Sequence, residues 1–183
     1  MLSCSRLKDI AQERKISMDT LANHLAQRGG FERDEALTAL RNWFNGLHKP
    51  KAKVEDIQRL ADGLGVEVNE ITEWKASYKY APTSPSKARL VSALIAGRPV
   101  QDALDLLKFT HKRAASMVSK TLSSAIASAA EKEADVEKLF VKEARVDGAG
   151  RRIGTKGFRA KDRGRAHAIF KQASHIHITV AEE

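Results

Sequence analysis

The sequence is poor in cysteine and contains no long apolar run. It has a single cysteine, Cys4, and four prolines among 183 residues. One cysteine excludes an intramolecular disulfide framework and a metal site built from several cysteines. No apolar segment approaches the roughly 20 residues of a membrane-spanning helix, and the first ten residues lack the apolar stretch of a secretory signal. We therefore expect a cytoplasmic protein with no membrane partner.

Acidic residues are fewer than basic ones, and the resulting positive charge is concentrated in one segment. The chain holds 32 Lys and Arg against 23 Asp and Glu. Residues 1–80 are nearly neutral, with 13 basic and 12 acidic side chains, whereas residues 142–171 hold 10 basic and three acidic ones. Five glycines in this segment allow the backbone to bend toward a phosphate surface. The asymmetry indicates a polyanionic partner, and a solvated basic loop is the alternative.

Helical periodicity extends through residues 1–75, for which we predict a domain of five short helices. Ser17 is expected to cap the second helix, Gly29-Gly30 to break the chain and Gly65 to end the fourth helix. The fifth helix would run through Ile71 toward Trp74. The four apolar stripes are Leu7, Ile10 and Ala11; Leu21, Ala22 and Leu25; Leu37, Leu40, Phe44 and Leu47; and Val54, Ile57, Ala61 and Leu64.

An extended linker is predicted at residues 76–86, because Pro82 and Pro85 disfavour helix in the residues that precede them. This linker would separate the helical domain from a second domain at residues 87–183. Three helices open that domain, and their expected buried positions are Leu90, Val91, Leu94 and Ile95; Ala103, Leu104 and Leu107; and Met117, Val118, Leu122, Ala125, Ile126 and Ala129.

After these helices the periodicity changes to that of strands. Alternating apolar residues run from Leu139 to Val146, and Ile176, Ile178 and Val180 share one face of a second strand. The basic segment between them, about residues 142–171, is predicted to be a long protruding β-hairpin that is poorly ordered until a polyanion surrounds it. The predicted fold class is therefore α+β: a helical N-terminal domain, then three helices on a small antiparallel sheet with a long hairpin.

Dispersed positions of the second domain resemble the bacterial large-subunit ribosomal protein twenty-two family. The similarity spans about residues 84–181 and includes Lys87-Ala-Arg-Leu-Val-Ser-Ala-Leu-Ile95, Val100-Gln-Asp-Ala-Leu-Asp-Leu-Leu-Lys-Phe-Thr110, Arg163-Gly-Arg-Ala166 and Ser174-His-Ile176. The resemblance implies a non-enzymatic constituent of the large subunit that assists assembly and needs no cofactor. Its expected partners are large-subunit rRNA, neighbouring ribosomal proteins and the nascent peptide, which the hairpin tip would meet in the exit tunnel.

The resemblance also implies which residues form the sites. The expected rRNA contacts are Lys87, Arg89, Lys112 and Arg113 on the globular base, and Arg151, Arg152, Lys156, Arg159, Lys161, Arg163, Arg165 and Lys171 on the hairpin. The expected tunnel tip consists of Ala149, Gly150, Arg151, Arg152, Ile153 and Gly154. Phe158 is expected to anchor the hairpin to its own core, and stacking on a base is the alternative.

A second resemblance concerns residues 6–74. Leu60-Ala-Asp-Gly-Leu-Gly-Val66 and Glu70-Ile71 are similar to the Cro/repressor-type helix-turn-helix family. The alternative function is therefore a DNA-binding transcriptional regulator. We do not expect DNA as a partner, however, because the helix that would read bases begins with Phe31-Glu-Arg-Asp-Glu35. This segment holds three acids, which phosphates repel.

Catalytic and metal-binding patterns are weak throughout the chain. His175 and His177 share a strand face, but no third metal ligand lies near them in sequence. The glycine-rich run 148–157 lacks the Gly-Lys-Ser/Thr ending of a phosphate-binding loop. Nothing resembles the strand-turn-helix motif around a catalytic serine. We therefore predict neither an enzyme nor a metal site.

Overall fold

A computed structural model describes residues 1–27 and 32–182. They form two compact units, Met1–Glu73 and Trp74–Ala181. The predicted break at Gly29-Gly30, and Phe31 at the start of the third predicted helix, lie outside the described residues. None of the described helices is both long enough and apolar enough to cross a bilayer.

The first unit is helical, as predicted. Ser17 caps the second helix, since its Oγ accepts a hydrogen bond of 3.3 Å from the Thr20 amide. Gly65 ends the fourth helix with a φ of 67°, a left-handed conformation that glycine adopts without steric cost. The elements are α1 (Cys4–Glu13), α2 (Met18–Gln27), α3 (Arg33–Phe44), α4 (Val54–Leu64) and a 3-10 turn at Val68–Ile71.

Leu47 and Val54 were expected in the apolar stripes, but both side chains are exposed. Helix α3 ends at Phe44, three residues before Leu47, and Trp43 is fully buried instead. The Trp43 indole N–H donates to the Pro50 carbonyl at 2.6 Å, which satisfies the one polar atom of the buried ring. The expected fifth helix is only the 3-10 turn that ends at Ile71.

The segment expected to be a linker is extended but belongs to the sheet. Strand β1 runs from Glu73 to Ala81 and hydrogen-bonds to a neighbouring strand over much of the predicted connector. Pro85, the second proline of the connector, is the first residue of helix α5 (Pro85–Ile95). Proline tolerates this position because the first amide of a helix has no intrahelical acceptor.

Three helices and a three-stranded sheet make up the second unit. The strand order is β1-β3-β2, so the strand that comes last in the chain lies in the centre. Ile176, Ile178 and Val180 are fully buried on one face of β3, as their alternation predicts. The remaining elements are α5 (Pro85–Ile95), α6 (Val100–Phe109), α7 (Arg113–Ala130), a 3-10 turn at Val136–Lys138, β2 (Leu139–Lys161) and β3 (Arg165–Glu182).

Helix α5 buries two of the four residues expected in its apolar stripe, Val91 and Ile95. Its buried residues are Ala88, Val91, Ser92 and Ile95. Leu90 and Leu94, both expected in the core, are exposed. Both sets have helical spacing, and the small side chains of Ala88 and Ser92 suit the inner face because they let α5 approach its neighbours closely.

Candidate nucleic-acid interface

Strands β2 and β3 continue beyond the globular part as one long hairpin. Val146 on β2 and Ala173 on β3 are buried, but every residue from 147 to 172 is exposed or only partly buried. We call residues 147–172 the arm. Because the arm has no buried side chain, its residues are available to a partner along its whole length.

The turn of the arm lies at Asp162, Arg163 and Gly164. These three consecutive residues have φ values of 43°, 61° and 83°. A short turn of left-handed residues that ends in glycine is suited to joining two twisted antiparallel strands. Asp162 also lies 3.2 Å from Nε2 of His167 on the returning strand.

The expected tip at residues 149–154 is therefore misplaced, since these residues lie within β2. Gly150 and Gly154 have φ values of 77° and 74°, but they occur inside the strand. A glycine with positive φ inside a strand is typical of a β-bulge, which bends and twists the hairpin without reversing it. Arg151 and Arg152 consequently lie on the shaft of the arm and not at its end.

The eight basic residues expected on the arm are all exposed. No carboxylate of the described residues forms an ion pair within 4.0 Å of any of these side chains. The two aspartates of the arm contact other residues: Asp147 contacts Arg145 and His177, and Asp162 contacts His167. Within residues 1–27 and 32–182, the charges of the eight basic residues are therefore not neutralised by an ion pair. The eight are Arg151, Arg152, Lys156, Arg159, Lys161, Arg163, Arg165 and Lys171.

Three of the four basic residues expected at the globular base lie together. Lys87 of α5, Lys112 and Arg113 at the start of α7 line one cavity of about 420 Å³, together with Leu90. Arg89 lies apart from them. Its Nε donates to the Val146 carbonyl at 3.2 Å, so this side chain joins α5 to β2 at the residue that precedes the arm.

The aromatic side chains of the arm differ from the expectation. Phe158 is 63% exposed, so the interpretation that it anchors the hairpin to a core is wrong. Lys156 Nζ lies 5.2 Å from the centre of its ring. Sequence reasoning missed Phe170, whose ring centre is 3.7 Å from the Arg151 guanidinium carbon. The signal was present, because Phe170 lies in the same basic segment as Phe158.

His175 and His177 make different contacts in the structure. Their ring centres are 6.4 Å apart, and Nδ1 of His175 accepts a hydrogen bond of 3.1 Å from the Tyr80 amide. His177 Nε2 lies 3.6 Å from Asp147. Within residues 1–27 and 32–182, no group of three or more His, Cys, Asp or Glu side chains is placed to hold a metal ion.

The arm and the globular part of the second unit match a known protein family. The model of the family described as Ribosomal protein L22p/L17e matches residues 76–181, more than half of the chain. Residues 1–75, which include all four helices of the first unit, lie outside this match.

Individual proteins show the same similarity. The large ribosomal subunit protein uL22 of Syntrophobacter fumaroxidans is 46% identical over 112 residues, which are 61% of this chain and 99% of that protein. The protein of the same name from Solidesulfovibrio magneticus is 43% identical over 113 residues, 60% of this chain and 98% of its own length. That of Geobacter metallireducens is 43% identical over 112 residues, 61% and 99% of the two chains.

Proposed function

Since the chain belongs to the Ribosomal protein L22p/L17e family, we propose that it is a structural constituent of the large ribosomal subunit and binds the rRNA of that subunit. One observation carries the proposal: the arm presents eight exposed basic side chains that no described carboxylate neutralises. The role is architectural and not catalytic. Its place is the cytoplasm, where bacterial large subunits assemble.

Counterion release would supply most of the binding free energy. Each Lys or Arg that meets a phosphate displaces condensed cations, so affinity falls steeply as salt is added. Eight such contacts would weaken binding by about 10³- to 10⁵-fold between roughly 50 and 200 mM salt. Arginine adds specificity of geometry, because its planar guanidinium can donate to two phosphate oxygens at once.

The cavity at the globular base would form a second rRNA contact. Its lining includes Lys87, Lys112 and Arg113, and no described carboxylate forms an ion pair with them. Three cations gathered at one place favour a site where two phosphates come close together. When the globular part is bound through this cavity, the arm would already lie close to the RNA and its phosphate contacts would form more readily.

The turn of the arm would be the part that meets the nascent peptide in the exit tunnel. Asp162, Arg163 and Gly164 form this end, which replaces the tip expected at residues 149–154. Arg151 and Arg152 then become rRNA contacts on the shaft. Neighbouring ribosomal proteins are the remaining proposed partners. Binding of rRNA by both the globular part and the arm would assist subunit assembly.

The first unit supplies no observation that favours the alternative of a DNA-binding regulator. Asp34 and Glu35 lie exposed in the first turn of α3, where a recognition helix would approach the phosphates. Thr38 and Pro50 line a cavity beside these two carboxylates. Phosphate would be repelled at this place, so duplex DNA is not proposed as a partner.

A variant without four arm charges tests the proposal. Arg159, Lys161, Arg163 and Arg165 are replaced together by Gln, and the affinity for large-subunit rRNA is measured as salt is varied. The slope of log affinity against log salt should become shallower by roughly 3, because each lost phosphate contact removes about 0.7–0.9. Assembly is followed by sedimentation of large subunits from cells that express the tagged chain.

The matched control removes four exposed charges from the first unit, with Arg41, Lys49, Lys51 and Lys53 all replaced by Gln. This control should keep the salt slope and co-sediment with large subunits. An arm variant that binds rRNA with the unaltered slope would contradict the proposal. So would absence of the unaltered chain from purified large subunits.

A further inference from the structure

The arm exposes apolar side chains as well as charges. Ile153 and Phe158 are 96% and 63% exposed, and Ile169 and Phe170 are also exposed. None of these four side chains belongs to either of the two apolar cores of the described residues or packs against them. Large exposed apolar groups close together mark an interaction surface. These side chains would therefore contact an apolar part of the partner, whereas the basic side chains would contact a charged one.

The two aromatic rings differ from the two isoleucines in that a cation lies over each. Lys156 Nζ is 5.2 Å from the centre of the Phe158 ring, and the Arg151 guanidinium is 3.7 Å from that of Phe170. A cation over a ring face is attracted by the electrons of the ring. Each ring therefore lies directly beside a side chain suited to binding phosphate.

We propose that Phe158 is a stacking site for an unpaired rRNA base, and that the Arg151–Phe170 pair is a second such site. The proposal rests on the function proposed above, since it names the part of the RNA that the arm recognises. An aromatic ring beside a cation fits one nucleotide, because the ring stacks on the base while the cation meets its phosphate.

The positive charge of the arm favours RNA over a peptide as the molecule that covers these rings. The arm contains eight basic side chains and only two acidic ones, Asp147 and Asp162, which face histidines. The base must be unpaired, because bases within an A-form helix are stacked on each other and their faces are closed to a side chain.

The two sites would receive a base differently. The Phe158 ring is mostly open, and a cation beside it at 5.2 Å leaves ring surface free for direct stacking. At the second site the guanidinium covers one face of Phe170, which is only 37% exposed. A base would therefore stack on the outer face of the Arg151 guanidinium, which is planar and weakly hydrated.

The test compares three substitutions at Phe158 in the full chain. The probes are a short single-stranded oligoadenylate and an abasic strand of the same length, which keeps the phosphates but has no bases. Phe158→Ala and Phe158→Leu should weaken oligoadenylate binding by about 5- to 100-fold, because a base loses its stacking surface. Phe158→Trp should bind oligoadenylate as well as the unaltered chain does, because tryptophan keeps an aromatic face. None of the three should alter binding of the abasic strand or the salt slope.

Ile153→Ala is the matched control, since Ile153 is an exposed apolar side chain on the same strand but has no aromatic face. It should leave oligoadenylate binding unchanged. The proposal is overturned if Phe158→Leu binds as the unaltered chain does, or if Ile153→Ala is as harmful as Phe158→Ala. Unchanged oligoadenylate binding by Phe158→Ala would also overturn it.

The four-charge arm variant separates this proposal from the function on which it rests. If that variant loses affinity for both strands while Phe158→Ala loses none, stacking is refuted and phosphate binding by the arm stands. If the four-charge variant binds both strands as the unaltered chain does, the proposed function itself fails. Since Phe158 contributes nothing to a core, its substitution should leave the thermal unfolding transition unchanged.

Discussion

Strands β2 and β3 run through both the globular part of the second unit and the arm. Many of their side chains are buried in the globular part, but none is buried in the arm. Within the globular part, Val141, Ile176 and Ile178 are fully buried against the helices. Within the arm, nothing from residue 147 to residue 172 is buried. The strand pair thus gives stability at one end and a charged surface at the other, so stability and binding should be separable by mutation.

A cavity in the globular part should have the largest effect on stability. Leu122 of α7 is fully buried in the cluster that includes Val91, Val118 and Ile176. Leu122→Ala should lower the free energy of unfolding by about 2–5 kcal/mol, because transfer free energy is lost and a cavity remains. Urea unfolding followed by circular dichroism measures the change. If Leu122→Ala unfolds like the unaltered chain, the core assignment fails.

Two glycines extend the comparison to the first unit, since Gly65 of that unit and Gly154 of the arm both have positive φ but only Gly65 is packed. At Gly65 an added Cβ would lie 2.8 Å from Arg14 Nη1, which donates to the carbonyls of Leu64 and Gly65. At Gly154 a Cβ would meet nothing within 4 Å. Gly65→Ala should lower the unfolding free energy by about 1–2 kcal/mol, because a left-handed residue with a side chain is strained and the Arg14 contact must shift.

Gly154→Ala serves as the comparison variant in the same urea experiment. It should leave the unfolding of both units unchanged, because its backbone strain is confined to the arm. Equal losses for the two alanine variants would mean that the arm unfolds together with the globular parts, and would contradict their separation.

Removal of the arm should have the smallest effect on stability. The Asp147 and His177 side chains come within 3.6 Å of each other where the arm begins, so we design a shortened arm in which residues 152–172 are replaced by an Asn-Gly turn between β2 and β3. The unfolding free energy should change by less than about 0.5 kcal/mol, as for other exposed substitutions. Loss of the cooperative transition in the shortened chain would refute the comparison.

Helical and strand periodicity predicted most of the fold, because burial follows it closely. The stripe with Val118, Leu122 and Ala125 lies in the core, and the alternation of Ile176 and Ile178 gives the inner face of β3. The basic hairpin was also predictable, since a charged segment between two strands has little apolar surface to bury. These features depend on local spacing, which the sequence contains in full.

The end of the hairpin was less predictable. Glycines occur both in turns and in β-bulges, and Gly150 and Gly154 have the same sign of φ as Gly164. The difference lies in which residues pair across the hairpin, and that depends on the partner strand. Spacing could not predict which face of α5 is buried either, because Leu90 and Val91 both fit a helical stripe. Only contact with the sheet decides which of the two side chains is buried.

The order of the strands also has a consequence for how the chain acquires its structure during synthesis. Strand β3 is central but is made last, so neither β1 nor β2 has its neighbour until residues 165–182 emerge. The helices of the first unit contact partners that are close in sequence and can form much earlier. Until β3 has been made, the nascent chain would therefore hold a folded helical unit and an incomplete sheet, so the second unit is the one expected to need chaperones during synthesis.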